Sequence, residues 1–467
     1  MFELVDYLIL FIFLLGFTGF GWYQSRYNTS NADYFLGGKT MPWPVAMFSI
    51  VATETSVLTF ISVPGIAYRG DWLFLQLAIG YIIGRLLVSY FLLPMYFKRG
   101  VLSIYEILGK AFGINIQKTA SLIFLITRIL ADGVRFLATA VIVQAITGWS
   151  LTAAVFLIGG VTLIYSLLGG IRTVIWIDGF QFILYISGGL ISVFYLLSYI
   201  DQPLDRITGI LIELDKLKVF QFQGDLISDP YIFLSAIIGG VFLSFASHGA
   251  DYMMVQRVLV TKDLTSARKA MIGSGVFVFL QFALFLFIGS LLFVYFDGAY
   301  IEKDREFSTF VVNHLPIGIK GILIAGILSA AMSTISSSIN ALTSSTVNDW
   351  LERTGSIKKS QLIGLFWGLV LMTIALLFDE SDKALVIIGL EIASFTYGGL
   401  LGLFILSKLK IKLKTISLIV GLILSFIVVF IFKGLGLAWT WYIFLSVSVN
   451  IISTISISKA LEILSPG

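Results

Sequence analysis

Apolar runs long enough to cross about 30 Å of hydrocarbon, separated by short polar stretches, repeat along the whole chain. Allowing breaks at Gly and Pro, thirteen are delimited, at 4–24, 43–67, 72–97, 117–147, 150–168, 174–199, 231–256, 270–296, 318–347, 361–378, 384–406, 413–432 and 437–458. They predict an all-α polytopic membrane protein with 13 transmembrane helices. The loops between them alternate in charge. Arg26, Lys39, Lys98, Arg99, Lys110, Arg172, Arg257, Lys262, Arg268, Lys269, Arg353, Lys358, Lys359, Lys408, Lys410, Lys412 and Lys414 fall on one side. That side is expected to be the cytoplasm, with the N-terminus outside and the C-terminus inside. The other side carries Asp201, Asp205, Glu213, Asp215, Asp225 and Asp229 in the longest loop, and Asp379, Glu380 and Asp382 in a short one. The two longest outer loops, about 200–230 and 297–317, have room for short helices but not for a folded enzyme domain. A single transport-sized bundle is expected.

Four polar anomalies interrupt this pattern. The largest is Leu328 to Asn348, where ten hydroxyl side chains fall between Ser329 and Thr346 in a segment otherwise built for lipid. On a helix Ser333, Ser336 and Ser337 stand at i, i+3 and i+4, with Thr334 one step around, so their oxygens share a face. Oxygen ligands suit a hard cation. Small hydroxyl residues also let membrane helices pack closely, which accounts for any single serine; the cluster as a whole reads as an ion site.

The second anomaly is Glu54, flanked by Thr53, Thr55 and Ser56, with Thr59 further along and Pro64-Gly65 placed to break the helix. A charge at the bilayer centre costs about 3 kcal/mol or more on insertion scales, so it is expected to face a cavity or a partner. An interrupted span also frees carbonyl oxygens for sodium. A proline kink held by neighbouring hydroxyls is the other reading. The third is Asp132 and Arg135, at i and i+3, which either neutralise each other or serve a substrate. The fourth is Asp178, six residues past Arg172 and so about 9 Å further along a helix. It is either the sodium partner of the serine cluster or the counter-ion of a nearby arginine.

Composition narrows the classes further. At 58% hydrophobic and 12% charged residues, no soluble domain of this size is expected. The net charge of +4 fits basic cytoplasmic loops and implies no nucleic-acid partner. There is no cysteine, which excludes thiolate metal sites and cysteine nucleophiles, and two histidines leave little for zinc chemistry. No nucleophile–base pair is evident, so an enzyme is not expected. The first segment, Leu4 to Trp22, is expected to be a span rather than a cleaved signal.

These residues resemble the sodium:solute symporters, a family that includes sodium/glucose, sodium/proline, sodium/pantothenate and bacterial sialic acid transporters. The resemblance runs over nearly the whole chain. It is carried by Y-F-L-G-G-K-T-M at 34–41, S-I-V-A-T-E-T-S at 49–56, G-G-I-R-T-V-I-W-I-D-G-F-Q at 169–181, D-Y-M-M-V-Q-R at 251–257 and S-A-A-M-S-T-I-S-S-S-I-N at 329–340. The spacing in 49–65 and 329–340 is closest to the sialic acid and proline members.

The resemblance implies a leucine-transporter-like fold of two inverted five-helix repeats, at 43–199 and 231–406. An extra N-terminal helix and loop (1–42) would precede them and two C-terminal helices (407–467) would follow. It implies a first sodium site of Ala52, Thr55, Ala330, Ser333 and Thr334, and a second of Asp178, Ser333, Ser336 and Ser337. Sialic acid members contact the sugar acid through hydroxyls matching Ser56 and Thr59 and an arginine in the fourth span, where Arg135 lies. Glu54 departs, because those members carry a neutral hydroxyl there. Glu54, Asp132, Phe74 and His248 complete the candidate substrate set, although His248 also reads as a packed helix histidine.

The expected activity is sodium-driven import of a small polar solute, a sugar, sugar acid or amino acid, by alternating access. The setting would be a bacterial cell membrane, with two sodium ions coupled and no oligomer required. A proton-coupled carrier using Glu54 or Asp178 is the alternative.

Overall fold

The computed structural model describes residues 3–55, 57–351, 356–377, 385–409 and 411–464. Among them regular structure is helical throughout, with no strand beyond a single bridge between Met41 and Thr261. Eight helices are long and apolar enough to cross a membrane, or ten if each of two bent pairs forms one span. Short helices, Leu204–Glu213 and Glu306–His314, occupy the two long outer loops.

The longest helical run is Leu151–Tyr199, 49 residues. A straight helix of that length would measure about 74 Å, far more than a bilayer core. It is divided at Gly170, whose φ of 62° and ψ of −163° are non-helical. Only glycine suits that position, since an added Cβ would also stand 2.7 Å from the Tyr34 carbonyl oxygen. The expected segments 150–168 and 174–199 are therefore two helices meeting at this break.

Two expected spans are interrupted, one of them in a different place from the expectation. Segment 43–67 was expected to break at Pro64-Gly65. Pro64 instead lies inside the helix Val57–Arg69, and the preceding helix Trp43–Glu54 ends at Thr55, whose ψ of 85° is non-helical. The two halves bend by 62°. A neighbouring helix packs closely on this turn: a Cβ added at Gly289 would collide with the Pro64 carbonyl oxygen. Segment 231–256, expected as one span, is the pair Phe233–Gly249 and Tyr252–Leu259, bent by 64°. The Asp251 carboxylate starts its second half by accepting from the Met253 N–H at 2.8 Å.

The serine-rich helix, Ile319–Ser345, is the axis of the bundle, with every residue from 323 to 345 buried. Peripheral helices instead expose large apolar side chains, as at Phe194, Leu362, Phe430 and Ile452, which is the surface expected against lipid. The N-terminal helix Leu4–Gln24 fixes the axis at its start. Buried Asp6 accepts hydrogen bonds from the backbone N–H groups of Gly318 and Gly321 at 2.8 and 2.9 Å, capping the serine-rich helix from a second element.

The outer loops fasten the far end of the broken helix. Lys216 donates to the carbonyls of Tyr68 and Gly70 at 2.8 and 3.3 Å, at the C-terminal end of Val57–Arg69. Arg69 pairs with Glu306 and lies 3.5 Å from Asp304. Burial raises the Glu306 carboxyl above its ordinary pKa, and Arg69 opposes that shift only in part.

Candidate functional site

The break at Thr55 lies against the centre of the serine-rich helix. Ala52, Thr55 and Ala330 line one small cavity with Gln181, Phe182 and Tyr185. Thr334 Oγ1 approaches the Thr53 carbonyl oxygen at 3.4 Å and the Ala330 carbonyl oxygen at 3.3 Å. Thr55 exchanges hydrogen bonds with the Gln281 amide at 2.7 and 3.0 Å. Four of the five residues expected at the first sodium site are thus brought together. The fifth, Ser333, is buried on the same helix, and its hydroxyl has no hydrogen-bond partner.

Asp178 faces the same region from the helix that follows Gly170. Its Oδ2 accepts from Ser49 at 2.6 Å and Thr53 at 3.4 Å, while Oδ1 is buried without a hydrogen-bond partner. Ser333 lies near enough to Asp178 to act on its carboxylate, though not in hydrogen-bond geometry. Ser336 spends its proton on the Ser333 carbonyl at 3.1 Å. An unpartnered carboxylate oxygen and an unpartnered hydroxyl are ligand types that suit a hard cation.

One residue of this cluster corrects the sequence reading. Arg257, expected in a cytoplasmic loop, is fully buried. Its Nε donates to Thr53 Oγ1 at 2.9 Å, its Nη2 donates to Ser337 and lies 3.5 Å from Asp178 Oδ2, and its Nη1 donates to the Met253 carbonyl. Asp178 therefore has an arginine counter-ion and still keeps one oxygen free.

Glu54 ends the first half of the broken helix, where the last carbonyls already carry partial negative charge. It pairs with buried Arg85 and lies 3.5 Å from His248 Nε2. Arg85 in turn donates to Ser274 at 2.6 Å. His248, expected as either a packed histidine or a lining residue, is buried but directed at Glu54, and Ser247 meets its Nδ1 at 2.9 Å.

Asp132 and Arg135 belong to a larger network than the pair the spacing suggested. Arg128, one turn earlier, reaches both Asp132 oxygens at 3.4 Å and Asp251 at 3.2 Å, and it donates to Tyr397. Ser338 also donates to Asp132. Arg135 stands 3.6 Å from Asp132, with Nε and Nη1 free of hydrogen bonds. Glu54, Arg85 and Arg135 all lie within electrostatic reach of the buried Tyr81.

The remaining substrate candidates are less revealing. Thr59 is buried on the second half of the broken helix, and Phe74 packs against Phe282 and Tyr231 with ring centroids 5.2 and 6.4 Å apart. Ser56 lies outside the described residues. Sequence reasoning missed Arg85, Arg128 and Gln281. An ionisable residue within an apolar run, as in I-G-R-L-L and T-R-I-L-A-D, was the available signal for the two arginines.

The model of the sodium:solute symporter family matches residues 34–378. A sodium/sialic acid symporter of Proteus mirabilis is 30% identical, over 92% of this chain and 89% of its own. One from Aliivibrio fischeri is 29% identical over 82% and 78%. The mouse sodium-coupled monocarboxylate transporter 2 is 27% identical, over 75% of this chain and 58% of its own. Among solved structures, a Na+-coupled sialic acid symporter in a substrate-bound outward-open state superposes with a TM-score of 0.90 at 27% identity, covering 98% of each chain. Mhp1, a nucleobase-cation symporter in a closed conformation, superposes at 0.59 and 15% identity, a likeness of fold alone, over 94% of this chain and 96% of that one. With the family match spanning most of its length, the chain belongs to the sodium:solute symporter family, and it is a membrane transporter that couples a small solute to sodium rather than an enzyme.

Proposed function

We propose that the chain imports a small organic anion bearing a carboxylate, sialic acid foremost, together with two sodium ions. The first ion would be held by Ala52, Thr55, Ala330, Ser333 and Thr334, and the second by Asp178, Ser333, Ser336 and Ser337. The observation that carries this reading is the meeting of free oxygens, Asp178 Oδ1 and Ser333 Oγ, beside the break at Thr55. A sodium there would tie the broken helix to the serine-rich axis and favour the state that receives substrate.

Charge balance supports an anionic substrate. Four carboxylates, Glu54, Asp132, Asp178 and Asp251, are matched by four arginines, Arg85, Arg128, Arg135 and Arg257. Each sodium ion adds one positive charge to this matched cluster, and an acid group on the substrate offsets one of the two. Arg135 has the free N–H donors to receive that group, and its fork suits a carboxylate. Sialic acid and monocarboxylate substrates, named for the relatives, share this chemistry. A proton carried by Glu54, the alternative coupling ion there, is disfavoured because that carboxylate is already paired with buried Arg85.

On this reading the 13 spans comprise an N-terminal helix, inverted repeats at 43–199 and 231–406, and two final helices. The N-terminus lies outside and the C-terminus in the cytoplasm of a bacterium, with the protomer sufficient for transport. The test is thermal stability of the purified protein in sodium or choline chloride against sialic acids, other sugar acids, neutral sugars, amino acids and monocarboxylates. Stabilisation that needs both sodium and a carboxylate supports the proposal. Stabilisation by a neutral sugar alone, or without sodium, overturns it.

A further inference from the structure

The Arg257 guanidinium is a fixed cation placed among the oxygens that the second sodium site would use. Of the four residues proposed for that site, it holds two: it donates to Ser337 Oγ and lies 3.5 Å from Asp178 Oδ2. Asp178 Oδ1 and Ser333 Oγ take no hydrogen bond from it or from any other group, and Ser336 Oγ donates to the Ser333 carbonyl at 3.1 Å. The guanidinium also donates to Thr53 at 2.9 Å, and Thr53 Oγ1 is 3.3 Å from Ser337 Oγ. One buried side chain thereby joins the half-helix Tyr252–Leu259 to the broken helix Trp43–Glu54, to the helix after Gly170 and to the serine-rich axis.

We propose that Arg257 is a tethered competitor of the second sodium ion: the ion and the guanidinium in its present pose exclude one another, so that sodium binding releases Arg257 from Ser337 and Thr53. The inference rests on the sodium reading of Asp178 and the serine cluster given above. Its physical basis is twofold. A hydroxyl oxygen that accepts a charge-assisted hydrogen bond is a poor ligand for a second cation, and two positive charges sharing one carboxylate in a buried site repel strongly. Conformation and sodium are then linked through one residue. Filling the site frees the half-helix Tyr252–Leu259 from the broken helix, and emptying it draws the two together again. Arg257 is a positioning residue in this scheme and contacts no solute.

The test measures the sodium concentration that gives half-maximal thermal stabilisation of the full-length protein, without solute, in wild type, Arg257→Gln, Arg257→Lys and Arg257→Gln/Ser337→Ala. Removing the competitor is expected to lower that concentration about tenfold in Arg257→Gln. Deleting the Ser337 ligand in the same background is expected to return it to the wild-type value or higher. Lysine keeps the charge but cannot bridge Thr53 and Ser337 together, so Arg257→Lys should fall between the two. It serves as the reporter if Arg257→Gln fails to fold. An unchanged or raised half-maximal concentration in both single variants overturns the proposal and leaves Arg257 a structural ion-pair partner. A wild type that ignores sodium overturns the sodium reading itself, and this inference with it.

Discussion

Asp178 shares one carboxylate oxygen among Ser49, Thr53 and Arg257 and leaves the other free beside Ser333. Of the two readings that the sequence left open for Asp178, the arginine counter-ion is present as Arg257, and the free Oδ1 is the oxygen on which the proposed sodium role rests. Ser333→Ala deletes the free hydroxyl common to both proposed sodium positions. It is expected to raise the sodium requirement for solute uptake about tenfold, the value of one lost ligand near 1.4 kcal/mol, and to weaken solute binding with it. Paired sodium and solute titrations check this; solute affinity lost without any change in sodium dependence would contradict the assignment. Glu54→Gln strands the Arg85 guanidinium in a buried site, and breaking such a pair costs about 3–5 kcal/mol. A lowered melting temperature and altered solute affinity are expected, with sodium affinity little changed.

The charged anomalies inside spans were legible at this scale, but their partners were not. Glu54, Asp132 and Asp178 stand out because a carboxylate is costly in an apolar run. Arg257 did not stand out, because an arginine just before Lys262, Arg268 and Lys269 looks like one more basic loop residue. What buries it is the bend after Gly249, which turns the half-helix Tyr252–Leu259 into the bundle.

At the level of elements, eight helices among the described residues, or ten with the bent pairs, are long and apolar enough to cross a membrane against the thirteen runs expected, and the breaks did not follow proline. Pro64 sits in a continuous helix, and Gly289 lets the neighbouring helix pack against its carbonyl, a tertiary contact with no local signal. Gly289→Val should therefore disturb the broken helix and abolish transport in a protein that still inserts, which uptake and membrane-fraction assays together report. The Asp6 cap is similarly invisible in sequence, since it joins residues more than three hundred positions apart. Asp6→Ala is expected to cost about 1 kcal/mol, with Asp6→Asn milder. Thermal melts of both variants check the cap.

The outer fastening adds a pH dependence. Burial holds the Glu306 carboxyl above its ordinary pKa of 4.5, so the folded state holds its proton more tightly than the unfolded one. Its contribution is greatest below that value and declines as pH rises through the raised pKa. Glu306→Gln should flatten this part of the melting-temperature profile. An unchanged slope would mean that another group carries it.

For the whole molecule, the apolar repeat indicated a polytopic membrane protein and the hydroxyl-rich segment an ion site, while the symporter reading came from the resemblance of the five motifs to the family. The bundle adds the reason these features belong together: the axis is buried along 323–345, so its hydroxyls cannot face lipid or bulk water, and Ser329 and Ser333 are left without a hydrogen-bond partner. Around it four carboxylates are matched by four arginines, so each ion added to that cluster is a charge that the solute or the gradient must balance. Sodium coupling of carboxylate uptake is thus the central claim. It is tested most directly by uptake of labelled sialic acid into proteoliposomes with an inward sodium gradient, compared with an inward proton gradient in choline. Accumulation above equilibrium that requires the sodium gradient is predicted; accumulation driven by the proton gradient without sodium would contradict the account.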